Sequence, residues 1–238
     1  MKSLLSIPVL LACDLTVKAA LYSFSYNSGF ANNANVPDGN LNDWSDTRAV
    51  NGIADGPLLD VSVRLNVSGG FNGDLYGYLS YNGALVPLLN RVGVGTGSSF
   101  GYTDAGLNVR FTDSANHNIH FYQTVSGYSV AGGAAWQPDG RTVNPVNSPP
   151  PAFDANGTVT FASYYGMNPN GNWTLFLADV SAGGGSSQVL SWGLDISTVP
   201  EPVGLAMAWF GIAVAGGECL RRLRLSRQLL EFIRRQRG

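Results

Sequence analysis

The side chains able to do chemistry here are few in kind. Between Leu21 and Val199 the sequence holds twelve aspartates, five arginines and two histidines, with no lysine, glutamate or cysteine. Acyl-transfer chemistry needs a nucleophile, a base within hydrogen-bond reach and a third group to orient that base. The bases on offer are His117 and His120, in ANHNIH. Two histidines three apart on a strand point to opposite faces, one buried and one exposed, which makes a poor metal pair. No serine nucleophile is expected beside them. Twelve aspartates could in principle supply a glycosidase pair. Most of them, however, stand beside Gly, Asn or Ser, where a short carboxylate caps a turn. Calcium is the better match, because it takes oxygen ligands from carboxylates and loop carbonyls. The candidates are Asp74 in Gly73-Asp74-Leu75, Asp104 and Asp113 at either end of YTDAGLNVRFTD, and Asp179 after the strand NWTLFLA. No EF-hand loop is present.

The elements that must carry these residues follow from composition and period. The segment avoids Lys and Glu, which are strong helix formers, and uses Gly, Asn, Ser, Val and Tyr, which suit strands and turns. Its formal charge is −7, from five arginines and twelve aspartates. That balance excludes the basic patch a nucleic-acid binder needs. Period-two alternation predicts strands at LLDVSVRLNV (58–67), with Val61, Val63, Leu65 and Val67 on one face. Next come FNGDLYGYLSYNG and ALVPLL, joined by an Asn82-Gly83 hairpin turn, with Pro87 favouring a sheet edge. Further strands are expected at 106–111, 118–123, 157–163, 172–180 and 188–196, the last with Leu190, Trp192, Leu194 and Ile196 on one face. Residues 132–153, with Pro149-Pro150-Pro151, read as a long surface excursion. Some eight short strands with intervening turns give an all-β class, a β-sandwich of jelly-roll type.

The two ends read differently. Lys2, the apolar run Leu4 to Ala12 and small residues at Val17-Lys18-Ala19 form a secretory signal over residues 1–20, cut after Ala19 or Ala20 by signal peptidase. Leu10-Leu11-Ala12-Cys13 is a weaker lipoprotein alternative. At the other end Val203 to Gly217 is uncharged and Arg221, Arg222, Arg224 and Arg227 follow. Fifteen helical residues span roughly 22 Å, and extension through Leu220 gives roughly 27 Å, near the thickness of a bilayer core. The arginines would stay inside as a stop signal and leave the domain outside. With Cys13 and Cys219 both in these terminal segments, no disulfide frames the domain.

Val199-Pro200-Glu201-Pro202, then a short apolar segment, then clustered arginine, resembles the PEP-CTERM sorting signal. The resemblance implies a Gram-negative, exopolysaccharide-producing source and removal of the tail near Pro-Glu-Pro by an exosortase. Proline lacks an N–H and resists helix, so the motif stays extended where an enzyme can reach it. Glu218-Cys219 and the long basic tail 226–238 depart from the pattern and keep a plain membrane anchor open as the alternative. The order of motifs over residues 30–197 resembles the P, or Homo B, domain that follows the catalytic domain of proprotein convertases and bacterial subtilisin-like proteases. The matching stretches are Val36-Pro37-Asp38, DVSVRLNVSGGFNGDLYGYL, LLNRVG, YTDAGLNVRFTDSA, AWQPDGR and NPNGNWTLFLADVSAGGGSSQVLSWGLDI. That family implies an eight-stranded jelly roll over residues 21–197 and no catalysis of its own. The expected organisation is a signal peptide, this domain, a sorting signal over 198–225 and a basic tail. The function expected is a non-catalytic surface or matrix module, with exopolysaccharide or a subtilisin-like protease as partner and calcium as the candidate ion. A carbohydrate-binding module, with Tyr76, Tyr78 or Trp136 stacking on a sugar ring, is a further alternative.

Overall fold

The computed structural model describes residues 19–54, 56–199 and scattered positions between 211 and 235. Most of the signal segment, Cys13, Pro200, Glu201, Pro202, Arg222 and Cys219 lie outside the described residues. Ten strands are present among those described: β1 (Ala20–Tyr26), β2 (Asn35–Val36), β3 (Asn40–Val50), β4 (Leu58–Phe71), β5 (Leu75–Tyr81), β6 (Ala84–Asn90), β7 (Ala105–Phe111), β8 (Ala134–Trp136), β9 (Gly171–Asp179) and β10 (Ser187–Thr198). They form two sheets. The first runs β1-β10-β4-β7-β8, with β2 following β1 along the same side of β10; the second runs β3-β9-β5-β6. Their inward faces share one apolar core, from Val61, Val63, Leu65 and Leu194 on one side to Leu79, Trp173, Leu175 and Leu177 on the other. The architecture is thus a β-sandwich.

The alternation in β4 behaves as the period demands. Val61, Val63, Leu65 and Val67 are buried, with Arg64 and Asn66 between them facing outward. The β5–β6 hairpin turns on Asn82 and Gly83, both at positive φ (46° and 82°), as a tight turn matched to strand twist requires. Strand β6 lies at a sheet edge, where Pro87 costs no ladder hydrogen bond.

Three expectations need correction. Residues 118–123 are not a strand: Ile119–Thr124 is a 3-10 turn, started by the Asn118 side chain accepting the His120 N–H at 2.9 Å. Residues 157–163 are not a strand either. The N–H groups of Thr158 and Val159 go to Gly140 O, and a 3-10 turn follows at Phe161–Tyr164. The stretch 132–153 is not a surface excursion throughout. It contains β8, parallel to β7, and its residues 138–141 are buried along the free edge of β6, where the N–H groups of Asp139 and Gly140 donate to Leu88 O and Pro87 O.

The face of β10 also differs from the simple pattern. A bulge between Val189 and Ser191 shifts the register against β4, so Val189 is buried and Leu190 is 45% exposed, while Trp192, Leu194 and Ile196 stay inside. Strand β3 escapes the period because one inward position is Asp46. Its Oδ2 accepts from Trp192 Nε1 across the sandwich and from Arg48 Nε, each at 2.7 Å. The Gly183-Gly184-Gly185 turn carries the chain from β9 in one sheet to β10 in the other rather than closing a hairpin.

The bulge makes a direct prediction. Val189→Ser should cost roughly 2–3 kcal/mol in urea unfolding, from lost burial plus an interior hydroxyl, while Leu190→Ser should stay within about 0.5 kcal/mol of the parent. The opposite order would mean that β10 continues without a bulge.

Candidate functional site

The four aspartates singled out from sequence separate into three places. Asp74 ends the 3-10 turn Asn72–Asp74 immediately before β5, and Asp179 is the last residue of β9. The register of β5 on β9 sets Leu75 opposite Asp179, so the two carboxyl groups are neighbours at one end of the sandwich. Asp38, in the turn before β3, joins them: Asn40 pairs with Asp179, and Asp38 Oδ1 accepts from Gly183 N at 2.9 Å. Asp179 is fully buried. Its Oδ1 accepts from Ser181 N at 3.3 Å, and its Oδ2 is buried with no hydrogen-bond partner. Burial pushes the Asp179 carboxyl up to about 6. The N–H groups of Ser181 and Gly39 oppose the shift, and the charges of Asp74 and Asp38 add to it. Burial also raises Asp74, against the pull of the Arg91 guanidinium and a hydrogen bond from Ser181.

Asp104 and Asp113 have other partners. Asp104 Oδ2 accepts from Tyr122 Oη at 2.8 Å and Gln123 Nε2 at 2.9 Å. Asp113 caps the Phe161–Tyr164 turn, accepting the N–H groups of Phe161 and Ala162 at 3.1 Å each. The four therefore do not form one ligand set. Among the described residues no group of three or more His, Cys, Asp or Glu side chains is arranged to hold a metal ion. What the end of the sandwich holds is the acid pair Asp74 and Asp179, with Asp38 near enough to add its charge.

A second constellation was not foreseen from sequence. Asp139 is wholly buried, and its Oδ2 lies 2.7 Å from His120 Nδ1 and accepts from Asn90 N at 3.2 Å. Its Oδ1 accepts from Arg141 Nη1 at 3.1 Å. His120 Nε2 in turn reaches Val94 O at 2.9 Å, and Arg141 Nε donates to Phe153 O at 2.8 Å. One histidine is buried and the other exposed, as expected, but the cause is this network and not strand alternation. Both nitrogens of His120 are engaged inside the protein, so the ring acts as a tie. Nothing in the sequence spacing joins Asp139 in Pro138-Asp139-Gly140 to His120, 19 residues away.

Of the aromatics considered for sugar stacking, Trp136 is buried and donates Nε1 to Ser129 O at 2.9 Å. Tyr76 and Tyr78 are half-buried on the outer face of the second sheet, with Tyr78 stacked on Phe176 at 4.5 Å. Gly97-Ser98-Ser99-Phe100-Gly101 has the G-x-S-x-G spacing of a hydrolase elbow. It lies in the loop between β6 and β7 with Ser99 exposed, not on a strand-to-helix turn. Among the described residues no helix is long and apolar enough to cross a membrane. Gly211, Ala213, residues 215–218, Arg221 and Arg224 are helical, with Arg221 Nη1 3.6 Å from Glu218 Oε1.

No protein-family profile and no curated protein sequence matches the chain. Among solved structures it is similar to the serine protease of Aeromonas sobria, both in complex with its chaperone ORF2 (14% identity, 77% of this chain, 28% of that chain, TM-score 0.43) and alone (13% identity, 76% and 27%, TM-score 0.43). The chain thus spans less than a third of the length of those structures, and a superposition of that quality carries no argument about function.

Two outcomes follow from the buried carboxylates. A raised Asp179 means the folded state holds its proton more tightly than the unfolded chain. This group's stabilisation is full below about pH 4 and is lost as pH rises through about 6. Asp179→Asn should therefore melt a few degrees above the parent at pH 7.5, with the gap closing toward pH 4; parallel melting curves across that range would contradict the assignment. Asp139→Ala leaves Arg141 and His120 buried without their acceptor. It should cost about 3–5 kcal/mol in urea unfolding.

Proposed function

We propose that the chain is an exported, non-catalytic surface or matrix module: a P-like jelly roll delivered by its leader, then sorted by exosortase-type processing at Val199-Pro200-Glu201-Pro202. The observation that carries this reading is where the described strands begin and end. Strand β1 begins at Ala20, where the leader is expected to be cut, and β10 ends at Thr198, with Ala20 and Thr198 paired. Val199, at the start of the Val-Pro-Glu-Pro motif, donates its N–H to Pro57 O at 3.1 Å. Cleavage before Ala20 and near Pro200 would leave every described strand whole, which is what supports the reading. The engagement of both His120 nitrogens supports a role in interaction rather than catalysis.

The test is cell fractionation with intact mass. A species from about Ala20 to near Pro200 in the surface or medium fraction, absent when residues 199–238 are deleted, is the expected result. A species that keeps Arg221 onward in the inner membrane would overturn the sorting step and leave a permanently anchored module.

A further inference from the structure

The outer face of the first sheet carries a groove of about 470 Å3 whose floor is unlike the rest of this acidic body. Arg64 on β4 and Arg110 on β7 are directly opposite in the ladder, and the next outward pair is Asn66 opposite Asn108. Ser191 on β10 extends the amide row, and Leu190, pushed outward by the bulge, forms an apolar flank. Like charges set opposite each other in a sheet weaken it. Arg48 and Arg141 each have an aspartate of their own. Arg64 and Arg110 share one, Asp195, at 3.3 Å and 3.6 Å. The groove therefore keeps an uncompensated positive charge inside a segment of formal charge −7.

The guanidinium groups are held in place but not used up. Arg64 Nη2 donates to Phe24 O at 2.9 Å, lying over Gly193, where a side chain would collide with it. Its Nε is buried without a partner. Arg110 Nε donates to Ser62 Oγ at 3.0 Å, and its side chain is 44% exposed. A planar fork fixed by neighbours and open on one side suits a carboxylate. Bulges gather where a sheet presents a functional side chain, and this one turns Leu190 toward the groove.

We propose that this groove binds a uronate-bearing polysaccharide. The ring carboxylate sits against Arg110 and Arg64, sugar hydroxyls meet the Asn66 and Asn108 amides and the Ser191 hydroxyl, and the C–H face of the pyranose packs on Leu190. Charge complementarity selects an anion. The amide and hydroxyl floor offers several donors and acceptors to the hydroxyls of a sugar, and an acidic peptide is the competing occupant that the experiment separates. The general acidity of the body disfavours non-specific attraction, so recognition is short-range and confined to the groove. This rests on the interaction-module reading but not on processing of the tail; it is read on purified protein, and tail processing is read in cells.

The experiment is calorimetric titration of the full-length protein in detergent with tetragalacturonate, alongside cellotetraose and tetraglutamate. Tetragalacturonate should bind and cellotetraose should not. Arg110→Gln should weaken binding at least tenfold with melting within about two degrees of the parent. Should Arg110→Gln fail to fold, Asn108→Ala removes an exposed amide and should weaken binding at least threefold. No tetragalacturonate binding, or binding unchanged in the folded variants, overturns the proposal. Equal, Arg110-dependent binding of tetraglutamate overturns the sugar and assigns the groove to acidic peptides.

Discussion

A single buried carboxylate organises the part of the chain that makes least use of strands. From residue 112 to 170 the protein builds three short 3-10 turns and one three-residue strand, too little regular structure to hold so long a connection in place. Asp139 supplies the hold. It takes a backbone N–H from β6, a ring nitrogen from the 119–124 turn and the guanidinium of Arg141, and Arg141 reaches on to the 150–154 turn through Phe153 O. Three otherwise separate pieces are thereby fastened to one strand. Such a charge is costly to desolvate and tolerable because every side of it is met. The same contact covers the exposed edge of β6, so the segment that needs fastening also protects the sheet from pairing with another chain.

The two sheets are joined by polar as well as apolar contact. Asp46 bridges from β3 to Trp192 on β10, and Arg48 turns back to it while lying over the rings of Tyr26 and Phe30, 5.0 Å and 5.5 Å from their centroids. A sandwich closed by Val and Leu alone would tolerate sliding of one sheet on the other. A directional bond between an indole and a carboxylate fixes the offset.

This explains which parts of the molecule the sequence reveals. Where a strand packs apolar side chains on one face and nothing interrupts, as in β4, β5 and β9, alternation is enough. Where an inward position is Asp46 or Arg48, as in β3, the pattern dissolves and the strand is invisible. Leu190 is misplaced because a bulge has no signature in a single sequence. Residues 118–123 and 157–163 have strand-like side chains, but the Asn118 and Asp113 carbonyl and carboxylate oxygens capture the N–H groups a ladder would need. The acid pair was half legible: Asp74 and Asp179 stood out as turn aspartates, whereas their meeting depends on the β5–β9 register. The groove was not legible at all, because Arg64 and Arg110 are 46 residues apart in the chain and become neighbours through pairing alone.

The pairing of Ala20 with Thr198 also fixes how the body responds to force. β1 and β10 are antiparallel neighbours, and the chain enters and leaves at the same end of their ladder. Tension applied between the two ends would load the first rung alone, then the next, peeling β1 away in sequence and leaving the core sheets intact. A strand arrangement with the ends at opposite poles would have to shear all its rungs together. Strained by its two ends, the sandwich yields early and locally, and shedding β1 bares the 192–198 stretch of β10 while its pairing with β4 remains.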